Sequence, residues 1–247
     1  GRETQDDVVM FAETLRKIPV VVQECPGFLV NRLLMPYLNE ATLALEEGAA
    51  TATEIDTAVV EWGMPMGPFT LMDMLGIDVC ADVGEYLYSE YGERMAPAHL
   101  FEELLEAGRL GEKSGAGFYD HPGGESEKVH QMIEDLQAAG KVETGTPFSV
   151  ERLMYPLINE AAQCVLEHVS TMTDIDMAMV AGTGMTYEGE RIGPLVIADR
   201  IGLDEIVEKL RELEETFGPR FRPARPLRLR VRADHLGVKA GKGFYEY

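Results

Sequence analysis

The same motifs occur twice in this chain, in the same order. Residues 32–41, Arg-Leu-Leu-Met-Pro-Tyr-Leu-Asn-Glu-Ala, return at 152–161 as Arg-Leu-Met-Tyr-Pro-Leu-Ile-Asn-Glu-Ala. Lys-Ser-Gly-Ala-Gly-Phe-Tyr from Lys113 returns as Lys-Ala-Gly-Lys-Gly-Phe-Tyr from Lys239. The second pair lies slightly farther apart than the first, so one short insertion separates two copies of a unit. Copies of domain size commonly pack like the halves of a dimer. Function is therefore sought between or beside the copies.

Composition narrows the partners. The 247 residues are 45% hydrophobic, enough for two small cores. A net charge of −21 argues against general affinity for nucleic acid or an anionic membrane. It leaves room for a phosphorylated ligand at a local positive spot. The one basic cluster, Arg220, Arg222, Arg225, Arg228, Arg230 and Arg232, is threaded with Pro219, Pro223 and Pro226. It reads either as a solvated face or as an anion-binding edge. No run of about 18 apolar residues is present to span a membrane, and Gly1 to Asp7 is polar, unlike a signal peptide. Cys25, Cys80 and Cys164 have no Cys-x-x-Cys spacing and read as thiols of a reducing cytoplasm.

Along the chain, Val8, Phe11, Ala12 and Leu15 share one face of a helix over 6–17. Ile18-Pro-Val-Val-Val22 is β-branched and apolar, and predicts a strand buried on both faces. Helix and strand together make half an α/β unit, so residues 1–24 read as the remnant of another domain. A long helix follows over about 29–47, with Pro36 inside it and Pro156 at the matching place in the second copy. Thr53-Glu-Ile-Asp56 and its twin Thr173-Asp-Ile-Asp176 resemble capping boxes. Pro68 and Pro194 open further helices, and helices at about 69–75, 78–91 and 98–107 complete the first copy. The expected organisation is a first helical domain over 25–120, a linker with a short helix over 121–148, and a second helical domain over 149–247. Only 18–22 patterns as strand, so both copies are mainly helical.

Chemistry-bearing motifs are sparse. Gly182-Thr-Gly184 lacks a third glycine and follows a helical segment, unlike a dinucleotide loop. His99, His121, His130, His168 and His235 show no metal-ligand spacing. The polar residue of interest is Asn31, at the start of the long helix, where the second copy has Glu151. Its amide could cap the helix, face solvent, or donate to a ligand carbonyl. Lys113 and Lys239 precede the glycine-rich ends, and each could reach a phosphate or carboxylate. Those glycines bring backbone close to something, with packing the default reason.

Taken together, Cys25-Pro-Gly-Phe-Leu-Val-Asn-Arg-Leu-Leu34, Ile55-Asp56, Pro65-Met-Gly-Pro68, Asp73, Gly76-Ile-Asp78 and Lys113-Ser-Gly-Ala-Gly-Phe-Tyr119 closely resemble the C-terminal domain of the L-3-hydroxyacyl-CoA dehydrogenases. Residues 150–247 resemble it again. Tandem copies are similar to the dehydrogenase part of the multifunctional fatty-acid β-oxidation enzymes. The resemblance implies an acyl-CoA substrate, NAD as cofactor, and oxidation of the 3-hydroxyl to a ketone. It assigns Asn31 to substrate contact and Lys113 to the cofactor's neighbourhood. The family's glycine-rich NAD loop and its catalytic His–Glu pair lie upstream of the matching region, so no catalytic residue is assigned in this chain, which alone is expected to be inactive. The second copy is expected to pack on the first as a pseudo-dimer, and a separate Rossmann domain is a possible partner. A non-catalytic helical module that binds acyl-CoA or scaffolds a partner is the alternative.

Overall fold

A computed structural model describes residues 1–247. It contains twelve α-helices, four short 3-10 turns and isolated β-bridges but no strand. After α1 (Arg2–Thr14), the first copy consists of α2 (Val30–Glu46), α3 (Ala52–Trp62), α4 (Pro68–Leu75), α5 (Ile77–Tyr91) and α6 (Leu100–Glu106). The connecting helix α7 (Glu127–Ala138) packs on α2 and α6. The second copy repeats the order as α8 (Val150–Leu166), α9 (Met172–Thr183), α10 (Pro194–Ile201), α11 (Leu203–Phe217) and α12 (Arg225–Arg232).

The central helices α2 and α8 pack on each other, and each retains its internal proline. Leu33, Tyr37, Leu38 and Ala41 of α2 are buried, as are Leu153, Leu157, Ile158 and Ala161 of α8. Because these two helices face each other, the apolar core runs continuously through both copies instead of dividing into two.

Two local expectations change. The capping box is formed by Thr51 and Glu54, two residues before the expected start: Glu54 N–H donates to Thr51 Oγ1 at 3.3 Å, and Thr51 N–H donates to Glu54 Oε2 at 2.9 Å. Thr171 caps α9 in the same way through the Asp174 amide. The β-branched run 18–22 forms no strand. A strand needs a neighbouring edge for its amides, and the only edge offered is the turn after α8. There Gln23 N–H donates to Val169 O at 2.7 Å and the Ser170 hydroxyl donates to Val21 O at 2.7 Å. The helix before it forms, but buries no residue: Val8, Phe11 and Leu15 remain 61%, 64% and 56% exposed.

Candidate functional site

The first turn of α2 is set by the residues on either side of Asn31. Ahead of it, Phe28 sits at φ +50°, which is uncommon for a residue with a side chain. Behind it, Arg32 is fully buried and ion-paired to Glu160 at 2.8 Å and Glu167 at 2.7 Å, with its guanidinium over the Tyr91 ring. Burial opposes this charge, but the neighbouring carboxylates of Glu167 and Glu160 hold Arg32 protonated. Asn31 is exposed and has no hydrogen-bond partner among the side-chain bonds of the chain, and α2 has no side-chain cap. The amide is thus free to bond a ligand at a helix end with unsatisfied N–H groups.

The matching place in the second copy differs. Phe148, the twin of the 67%-exposed Phe28, is half-buried against the core, and Glu151 replaces the amide. Arg152 nonetheless repeats the role of Arg32, pairing with Glu40 at 2.7 Å and Glu47 at 2.9 Å beneath Phe217. Each copy therefore gives an arginine to the other copy's acids, the reciprocity of a two-fold dimer interface. The repeated spacing of Arg32 and Glu40 with Arg152 and Glu160 is the sequence signal of these buried charges.

Lys113 lies on the 3-10 turn Glu112–Ser114, where its ammonium pairs with Asp78 at the start of α5. That pairing holds the Asp78 carboxyl below the usual carboxylate range. Lys239 repeats the arrangement with Asp204 at 2.7 Å and Glu205 at 2.9 Å, so the pair belongs to the unit. No hydrogen bond or ion pair joins Lys113 to Asn31.

The glycine-rich ends are anchored by aspartates. Asp73 of α4 accepts Phe118 N–H at 2.8 Å and Tyr119 N–H at 3.0 Å, and contacts His121 Nε2 at 2.8 Å. Asp199 of α10 accepts the amides of Phe244 and Tyr245 at 2.8 and 2.9 Å and the Tyr247 hydroxyl at 3.1 Å. A tyrosine does in the second copy what His121 does in the first, which makes His121 a donor holding a loop. Asp56 accepts the first amides of α4 and the Tyr119 hydroxyl, and Asp176 does the same for α10 and Tyr245. A Cβ on Gly117 would lie 2.0 Å from Asp73 Oδ1, so the motif's glycine is required by this anchor. Gly182 lies against Val30 and Gly184 ends α9 with φ +73°, so this pair serves packing and a helix stop. The three cysteines are free thiols, and no helix is long and apolar enough to cross a membrane.

The model of the 3-hydroxyacyl-CoA dehydrogenase C-terminal domain matches twice, over residues 27–121 and 148–247. Asn31 and Lys113 fall inside the first match, and α1 lies outside both. The fatty acid oxidation complex subunit alpha of Vibrio cholerae is 35% identical over 98% of this chain, and that of Shewanella loihica is 36% identical over 90%. The chain spans about a third of the length of these relatives, 33% and 31%. The crystal structure of 3-hydroxybutyryl-CoA dehydrogenase from Escherichia coli superposes with a TM-score of 0.80 at 26% identity, covering 94% of this chain and 65% of that one. The dehydrogenase part of multifunctional enzyme 1 from C. elegans, 24% identical with a TM-score of 0.63 over 90% of this chain and 52% of that one, shares the fold. This chain belongs to the 3-hydroxyacyl-CoA dehydrogenase C-terminal domain family and carries that domain twice.

Proposed function

We propose that residues 1–247 are the substrate-binding and dimerisation part of an NAD-dependent L-3-hydroxyacyl-CoA dehydrogenase of fatty-acid β-oxidation, working in the cytoplasm. The observation that carries this reading is the difference between the two α2-type entrances. The first is open, with Asn31 and Phe28 exposed, while the second holds Glu151 and a half-buried Phe148. Only the first copy offers a neutral amide beside an apolar surface, the combination that suits an acyl carbonyl.

In this reading the Asn31 amide donates a hydrogen bond to the oxygen on the acyl chain's third carbon and orients it. The second copy stands in for the partner subunit that single-copy relatives recruit, with Arg32, Arg152 and their acids fixing the register. Residues 1–247 form no strand, glycine loop and helix in the order a dinucleotide needs. NAD and the proton-accepting His–Glu pair are therefore assigned to a Rossmann domain beyond these residues, with no step routed through them here. Lys113, already paired with Asp78, would approach NAD with the remaining donors of an ammonium that is 46% exposed. The uncovered stripe Val8, Phe11, Leu15 and Ile18 supports α1 as the surface on which that domain rests. A 13-residue helix with nothing buried is marginal without such cover.

Acetoacetyl-CoA titrated into this chain by calorimetry tests the reading. Asn31→Ala is expected to weaken binding about tenfold, the worth of one hydrogen bond to a ligand, while Glu151→Ala leaves it unchanged. Absence of binding, or equal affinity in Asn31→Ala, would contradict the assignment.

A further inference from the structure

The arginine-rich segment closes a cavity of about 340 Å³ at the seam between the copies. Arg94, Arg220, Arg222, Arg225 and Arg228 line it, and Glu160 is the single acid among the lining residues. That acid is already engaged by Arg32 at 2.8 Å and Arg94 at 3.3 Å, and Arg220 is committed to Glu40 at 2.8 Å. Arg222 meets Glu214 only at 3.9 Å, on a side chain 70% exposed. Arg225 and Arg228 appear in no ion pair of the chain, and the Nε atoms of Arg94 and Arg228 are out of solvent without a hydrogen-bond partner. The cavity thus holds surplus positive charge in a chain whose net charge is −21.

The other side of the seam shows that this surplus is not a consequence of the fold. A second cavity there, about 510 Å³, is lined by Glu46, Glu47, Glu143 and Glu215 together with Lys141, His99 and Arg220, so its acids outnumber its cations. Aligning the copies through Pro97-Ala98 and Pro223-Ala224 places His99 opposite Arg225 and Glu102 opposite Arg228. The Pro-Ala pair is shared, but the two arginines that follow it in the second copy have no arginine or lysine counterpart in the first.

We propose that the arginine-lined cavity binds a small phosphate-bearing anion, a free phosphate or diphosphate or the same group carried on a nucleotide. Planar guanidinium forks match phosphate oxygens two at a time. The volume lies at the lower end of the roughly 300–1,000 Å³ typical of small-ligand cavities. Pro36, Pro156, Pro219 and Pro223 stiffen the rim, which favours a compact ligand over a helix laid across a groove.

The test measures thermal stability and calorimetric binding of this chain with inorganic phosphate, inorganic diphosphate and ADP, each against chloride at matched ionic strength. Diphosphate is expected to bind saturably and raise the melting temperature. The double variant Arg225→Gln/Arg228→Gln should bind it about tenfold or more weakly, with a melting temperature in chloride no lower than the parent's. Arg211→Gln, an exposed arginine outside the cavity, should bind as the parent does. Binding of ADP tighter than diphosphate identifies a nucleotide carrier, and weaker or equal binding identifies the free anion; both support the site. No saturable binding beyond chloride, or undiminished binding in the double variant, overturns it.

Discussion

Asn31 and Arg32 are neighbours with opposite fates, one exposed and the other fully buried. Sequence shows that Asn31 is a polar residue the second copy does not share, but not that Arg32 turns inward, because its acids lie in the other copy. Glu46 was equally illegible. It is buried at the end of α2, where it accepts the Leu100 amide at 2.9 Å. Burial pushes its carboxyl up to about 7, the amide pulls down, and Glu47 and Glu40 add to the rise. A carboxyl raised on folding makes the native state bind more protons than the unfolded chain between the two pKa values. Stability contributed by the protonated form is therefore present at low pH and lost as pH rises toward about 7. Glu46→Gln removes that penalty and keeps an acceptor for Leu100. It is expected to be more stable than the parent at pH about 8, by up to roughly 3 kcal/mol, with the difference vanishing near pH about 4. Urea denaturation at the two pH values checks this.

Elements were legible where a local signal sufficed. Pro68 and Pro194 open α4 and α10, and the alternate apolar faces of α2 and α8 are read directly from the repeat. They were not legible where the partner is distant. A β-branched run predicts a strand at 18–22, but pairing depends on an edge these residues do not find. Asp56, read as part of a helix start, instead holds the start of the next helix. The glycine-rich ends imply a close approach, and their partners are Asp73 in the first copy and Asp199 in the second; for Gly117 that partner is Asp73. Gly117→Ala would drive a Cβ into that carboxylate and break its bonds to Phe118 and Tyr119. It is expected to cost about 2 kcal/mol or more, as a shift in the denaturant midpoint. Between α2 and α8, Arg32→Met leaves Glu160 short of one buried partner. The expected cost is about 3 kcal/mol, and Glu160→Leu should cost less in the Arg32→Met background than alone. Additive costs in that double-mutant cycle would mean the pair does not couple the copies.

At the scale of the molecule, duplication is the property that sequence displays most openly, and the geometry explains what it accomplishes. Two copies share one core, exchange arginines for acids across it, and differ where chemistry is offered: an open entrance at Asn31 in the first, an arginine-lined cavity beside the second. The difference in charge balance between the two cavities is not legible in sequence, because it requires knowing which faces meet. The central claim is that the first copy supplies the acyl-CoA side of a dehydrogenase. Its most direct test is hydride transfer from 3-hydroxybutyryl-CoA to NAD, followed at the nicotinamide absorbance, for residues 1–247 and for the same chain joined to a family NAD-binding domain ahead of Gly1. Activity in the joined protein alone, reduced at least about tenfold by Asn31→Ala, is the predicted result. Activity in residues 1–247 by themselves, or a joined protein indifferent to Asn31, would contradict the account.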